Sequence, residues 1–155
     1  LSDYYYRTRP EYYRQLAAAS QSGGDVLPFV QYAVQGFVEG LREQLRVIRL
    51  QQWQVSWVNY VHERFREEKT NANQKRRRDL VLDLSNREGF VDISEIPNLS
   101  PRQGEAYRGG NPRVLRYDIN VLAGMGLIEH VTGKVRAKRE IILAFLPAKA
   151  QGRVI

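Results

Sequence analysis

The sequence predicts a mainly α protein in two parts: a helical segment built on one long helix, then a smaller helical domain closing in a β hairpin. Three observations predict it. Apolar residues recur at heptad spacing from Asp25 to about Lys69. A second amphipathic helix, between Asn111 and Gly126, has Leu115, Ile119 and Leu122 on one face and Arg113, Arg116, Tyr117 and Asn120 on the other. After it, the strand-like run Leu127 to Val131 meets Thr132-Gly133-Lys134 and the basic residues Arg136, Lys138 and Arg139.

The segment Tyr4 to Ala19 reads as helical with a break near Arg9-Pro10. Pro10 disfavours helix at Arg9 and suits the first turn of a new helix. Ser22-Gly23-Gly24 is a loop, and Asp25 caps the long helix with Pro28 in its first turn. With Leu27 at heptad position a, the a residues are Leu27, Val34, Leu41, Ile48, Val55 and His62. The d residues are Val30, Phe37, Gln44, Gln51, Val58 and Phe65. Nine of these twelve are apolar, which predicts a packed seam, and Val38 and Leu45 widen it. Gln44, Gln51 and Gln52 weaken its middle, leaving one helix or two with a bend near residues 46–54. A continuous helix of about 45 residues is roughly 68 Å long. No compact domain of this size buries that alone, so it needs a partner chain or more of its own chain.

Asn71-Ala72-Asn73-Gln74 reads as a linker before the basic run Lys75-Arg76-Arg77-Arg78. Leu80, Val81 and Leu84 mark a helix ending near Gly89, and Phe90 to Ile93 alternates like a short strand. Ser100-Pro101-Arg102-Gln103 is a capping box with proline at the first helical position. It opens a short helix through Tyr107, and Arg108-Gly109-Gly110 makes a turn. Asn111 then caps the next helix, with Pro112 at its first position. Helix, strand, helix, turn, helix, hairpin is the order of a winged helix-turn-helix. The expected organisation is a helical segment over residues 1–70, a winged helix over 71–147 and a tail over 148–155.

Composition narrows the function. Hydrophobic residues make up 43% of 155, enough for a real core. No cysteine is present, which excludes disulfides, thiolate metal sites and a cysteine nucleophile, and fits a reducing, cytoplasmic setting. No apolar run approaches the ~20 residues of a membrane helix, and no signal peptide is read, so no membrane partner is expected. The start at Leu1 rather than Met suggests a piece of something longer. Residues 1–70 carry 9 Lys/Arg against 8 Asp/Glu, whereas residues 71–155 carry 15 against 9. The cationic excess therefore lies with the helix-turn-helix outline, and that favours a polyanionic partner.

Two stretches resemble a known family. Leu1-Ser2-Asp3-Tyr4 with Arg9-Pro10-Glu11-Tyr12-Tyr13-Arg14-Gln15-Leu16 is similar to the segment just after the catalytic core of Fic (filamentation induced by cAMP) proteins. The run Gly24-Asp25-x-x-Pro28-Phe29-Val30-x-Tyr32, with Gly36-Phe37-Val38, resembles that family's next helix. Many Fic proteins then carry a C-terminal winged helix, and Ile141 to Pro147 looks like its closing strand. There are departures: Thr8 precedes Arg9 where Asn is usual, Val26 replaces Trp, and Tyr117-Asp118 stands for an Arg-Asp pair. The family's catalytic motif, His-Pro-Phe-x-x-Gly-Asn-Gly-Arg, does not occur. The two histidines, His62 and His130, precede neither Pro-Phe nor a Gly-rich loop. The resemblance implies the non-catalytic C-terminal part of an AMP-transferring protein. It implies no cofactor in this chain, with ATP and Mg belonging to the full-length parent. The implied partners are the N-terminal Fic catalytic core and a second copy, a homodimer through the long helix.

For DNA, Arg113, Arg116 and Asn120 suit base edges in a major groove, where Arg pairs with guanine and Asn with adenine. Tyr117 suits a phosphate or a thymine methyl. Lys134, Arg136, Lys138 and Arg139 suit the backbone, and Lys75 and Arg76, with Arg77 and Arg78, add phosphate contacts. Six such contacts give a log–log salt slope of about −5. His62 reads as a seam residue and His130 as a strand residue, and no metal-ligand spacing appears. The alternative is a protein-docking or dimerisation module without DNA, because fold does not dictate function.

Overall fold

The structure, a computed structural model, describes residues 2–66 and 71–145. It divides into two compact units, Leu1–Gln51 and Gln52–Ile155. The division falls inside the long helix rather than near residue 70, because the last turns of that helix supply core to the second unit.

In the first unit, α1 (Ser2–Arg7) and α2 (Arg9–Gln21) are separated at Thr8. Thr8 Oγ1 lies 2.9 Å from the Tyr4 carbonyl and 2.5 Å from the Tyr32 hydroxyl. Gly23 (φ +70°) and Gly24 (φ +105°) make the turn into α3, a conformation that a side chain would strain. The Asp25 carboxylate accepts from the Leu27 amide at 3.1 Å, and α3 (Leu27–Arg64) then runs as one helix, without the second helix that the glutamines allowed. The last turn expected beyond residue 66 lies outside the described residues.

Tyr4, Tyr5, Tyr12, Tyr32 and Phe29 form a ring cluster with centroids 5.5–6.2 Å apart. Gly36 is the one buried residue among those described in this unit, and a Cβ there would run into the Tyr4 ring. The seam residues of this half (Leu27, Val30, Val34, Phe37, Leu41 and Ile48) are all exposed within the chain.

The second unit has the core. Its α3 turns bury Trp57 and Val61, with Phe65 buried just past the helix end and Trp53 packed beside them. That stripe corrects the heptad expectation: the buried face follows i, i+4 steps from Trp53, while Val55 and His62, both assigned to position a, are exposed. Phe65, assigned to position d, is buried as expected, whereas Trp53 and Trp57 reach the core from a face that a count of a and d positions passes over.

Next come α4 (Ala72–Ser85), β1 (Val91–Asp92), a 3-10 helix (Ile93–Asn98), α5 (Pro101–Tyr107), α6 (Pro112–Gly124), β2 (Ile128–Val131), β3 (Lys134–Ala137) and a second 3-10 helix (Arg139–Phe145). The expected linker at Asn71 to Gln74 is instead the start of α4. Asn71 is its N-cap, accepting from the Gln74 amide at 2.9 Å. The antiparallel sheet has the order β1-β3-β2. Val91 faces Val135, and His130 faces Val135 from the other side. Thr132 (φ +41°) and Gly133 (φ +78°) form the two-residue β2–β3 turn, both left-handed as a type I′ hairpin requires.

The expected closing strand from Ile141 is a 3-10 helix up to Phe145, with Ile142 buried in the core. Its place in the sheet is taken by β1, and Leu146, Pro147 and the 148–155 tail lie outside the described residues. Leu80, Val81, Leu84, Ile96, Ile119, Leu122, Leu127 and Val135 complete the core.

Candidate nucleic-acid interface

The α6 helix starts where the sequence requires. The Asn111 side chain accepts from the Arg113 amide at 2.9 Å, and Pro112 opens the first turn. Ile119 and Leu122 are buried beneath it, and Leu115 is half-buried. Asp118 is also fully buried. Its carboxylate accepts from Arg76 Nε at 2.7 Å, Arg77 Nε at 2.7 Å and the Tyr107 hydroxyl at 3.0 Å. A buried carboxylate held by three donors from α4 and α5 sets the rotation of α6 about its axis. At about 100° per residue, Arg113, Arg116 and Asn120 then lie nearly opposite Asp118, and all three are exposed.

The cluster also shifts the groups around it. The hydrogen bond to Asp118 raises the Arg76 guanidinium above its ordinary value. Burial, reinforced by the Asp118 charge, pushes the Tyr107 phenol far up, so Tyr107 stays a neutral donor. Arg76 lies over the Tyr107 ring at 5.8 Å, and Arg77 over the Tyr117 ring at 5.3 Å.

A second carboxylate ties α4 to α5. Asp83 accepts from Ser100 Oγ at 2.7 Å, Arg102 Nε at 2.9 Å and Gln103 Nε2 at 2.7 Å. Burial acts to raise the Asp83 pKa, but the hydrogen bonds from Arg102, Ser100 and Gln103 outweigh it and leave the pKa below its ordinary value. Ser100 caps α5 as expected, yet the Gln103 side chain reaches Asp83 rather than back to the cap.

The residues proposed for DNA contact therefore fall into two groups. Arg113, Arg116, Lys138 and Lys75 are exposed with no side-chain partner among the described residues, and Asn120 and Tyr117 (62% exposed) share the α6 surface. Lys134 stands 4.0 Å from Asp92 with both side chains more than half exposed. The others are engaged within the protein. Arg76 holds Asp118. Arg136 is clamped by Glu129 at 2.7 Å and Glu140 at 2.5 Å, which raises its pKa. Arg139 donates to the Ser85 carbonyl at 3.0 Å and stacks on Trp53 at 4.5 Å.

Asp118 and Asp83 were not singled out from sequence as organising residues. The available signal was an acidic residue inside an apolar stripe, Asp118 beside Leu115, Ile119 and Leu122. His62 and His130 are exposed. No His/Asp/Glu group able to hold a metal occurs among the described residues, and none of their helices is long and apolar enough to cross a membrane. No protein-family model, curated protein or solved structure matches the chain.

Proposed function

We propose that the second unit is a winged helix that binds DNA, with α6 as the recognition helix and the β2–β3 hairpin as the wing. The observation that carries this reading is the α6 surface. Arg113 and Arg116, two guanidiniums with no side-chain partner among the described residues, stand with Asn120 on the side facing away from the buried Asp118. Unpaired Arg and Asn side chains on one exposed helix face are what base edges in a major groove engage. Lys134 and Lys138 supply backbone contacts. Arg76, Arg136 and Arg139 serve the fold, so about three of the six phosphate contacts remain and the log–log salt slope is near −3 rather than −5.

The test is fluorescence anisotropy with mixed-sequence duplex DNA across a salt series. Arg113→Glu combined with Arg116→Glu should abolish binding and leave the circular dichroism spectrum unchanged. Binding that survives this double reversal would sink the assignment of α6.

The exposed apolar residues of α3 favour a second, compatible role for the first unit as a docking surface for a protein partner. On the Fic resemblance the partner is the catalytic core of an AMP-transferring protein, acting with ATP and Mg, with a second copy of the chain as the alternative. Size measurement by light scattering separates the two. A dimer of the isolated chain supports self-association, and a monomer that binds a Fic core supplied in trans supports the other reading.

A further inference from the structure

The outward surface of α6 carries two kinds of side chain. At about 100° per residue, Arg116, Asn120 and Arg113 span an arc of roughly 60°. Tyr117, Val121 and Val114 span the adjoining arc, of similar width. Tyr117 is 62% exposed and Val114 37%, and Val121 is half-buried. The packing of α6 rests on its other side, on the buried Ile119 and Leu122. A strip of apolar side chains therefore stands beside the polar one on the face that Asp118 turns outward.

Tyr117 does not swing freely. Arg77, on α4, donates from Nε to the Asp118 carboxylate at 2.7 Å and lies over the Tyr117 ring at 5.3 Å. The Asp118 side chain is fully buried and that of Arg77 is 12% exposed, so the guanidinium is fixed in place. A cation over an aromatic ring is attracted to the ring face and holds it. The rest of the ring stays open, since more than half of Tyr117 is exposed. A rigid aromatic with an open surface loses little freedom on contact, which favours binding.

Two roles suit a tyrosine here, a phosphate contact and a thymine methyl contact, and its neighbours separate them. A phosphate oxygen set against this strip meets one O–H donor and two valines that donate nothing. The C5-methyl group of thymine lies in the major groove, where apolar side chains engage it. We infer that Tyr117, backed by Val114 and Val121, is a specificity-determining residue that reads the methyl group of one thymine next to the bases met by Arg113, Arg116 and Asn120, a role that rests on α6 being the recognition helix.

The test selects binding sites from a random duplex pool with the full chain, then measures affinity for the selected duplex by fluorescence anisotropy. Thymine is the one C5-methylated base in such a pool. Each thymine of the selected site is replaced singly by uracil, which pairs identically and lacks the methyl. One replacement should weaken wild-type binding about fourfold, the effect of losing one buried methyl contact. Tyr117→Ala should bind the thymine and uracil duplexes equally, and Tyr117→Phe, which keeps the ring, should keep the preference. Because the ratio is taken within each protein, a general loss of affinity does not imitate it. A selected site without thymine, wild-type binding indifferent to every uracil, or a preference that persists in Tyr117→Ala overturns the role. Affinity lost equally in Tyr117→Phe and Tyr117→Ala assigns the hydroxyl to a phosphate and overturns it too. Arg113→Glu with Arg116→Glu tells this failure from that of α6 itself. If the double variant loses the selected duplex while uracil has no effect, α6 still contacts DNA and only the role of Tyr117 falls. If the double variant keeps the duplex, or the wild type selects none, both fall.

Discussion

The two units are built from similar material and end in opposite states. Among the described residues, every buried hydrophobic side chain lies in the second unit, whereas Leu27, Val30, Val34, Phe37, Leu41, Leu45 and Ile48 of the first are 44–61% exposed. A single helix, α3, shows both outcomes. Its first half turns Tyr32 and Gly36 toward the tyrosine cluster and leaves its heptad stripe bare, while its last turns bury Trp57 and Val61. The lesson is that periodicity locates an apolar face but does not say whether anything covers it. Burial stabilises only where other apolar surface arrives to displace water.

The largest effect that tests this contrast is a pair of truncations. Trp57→Ala should destabilise the second unit by about 3–5 kcal/mol, the range for deleting a large buried side chain. Leu41→Ala should cost under about 0.5 kcal/mol in the isolated chain, as for ordinary surface positions. Urea unfolding followed by circular dichroism measures both, and equal costs would break the comparison.

Next is Asp118→Ala, which leaves the Arg76 and Arg77 guanidiniums without their buried partner. A loss of about 3 kcal/mol is expected, typical of breaking a buried pair from one side. The same variant should weaken DNA binding more than the lost stability explains, because α6 loses what holds its rotation. Intact affinity in folded Asp118→Ala would separate stability from positioning.

A smaller effect appears in acid. The Asp83 pKa is held below the ordinary aspartate value, so the carboxylate's contribution is present above that unfolded value. It is lost as pH falls through the lower folded value. Asp83→Asn should therefore flatten the acid limb of the second unit's stability curve and leave the neutral-pH ring signals of the first unit unchanged. An unaltered acid limb would mean that Asp83 is not the group being titrated.

The smallest expected effect is a gain. Thr132 holds a left-handed φ in a type I′ turn where Asn is preferred. Thr132→Asn should stabilise the second unit by about 0.5–1 kcal/mol, the strain relieved when a β-branched residue leaves that region. A melting temperature that falls instead would place the turn's constraint outside its two central residues.

Much of the second unit was legible in the sequence because its signals are local. Ser100-Pro101 and Asn111-Pro112 start helices through caps and proline geometry that neighbouring residues suffice to specify, and Thr132-Gly133 marks a turn for the same reason. The outward side of α6 followed from helical spacing. The start of α4 was missed because Asn71 to Gln74 reads as polar loop, although an asparagine three residues before Gln74 is a capping arrangement. Ile141 to Phe145 looked like a strand because a short apolar run does not distinguish strand from helix, and β1 already occupies the edge of β3. Within the candidate interface, the residue types were visible but their partners were not. Arg136 and Lys138 look alike in a basic run, yet one is neutralised by Glu129 and Glu140 and the other has no side-chain partner among the described residues.

By itself, the sequence determined a mainly helical chain, the long helix, the amphipathic α6 and the placing of positive charge in its second half. These depend on periodicity, capping and composition, which act over a few residues. Only the tertiary structure decided which face of α3 is buried and which arginines are committed to Asp118, Ser85 and the two glutamates. Those outcomes depend on contacts between residues far apart in the sequence, such as Arg139 with Ser85, 54 positions away. The free energy of a charged side chain is set by what the fold brings to it.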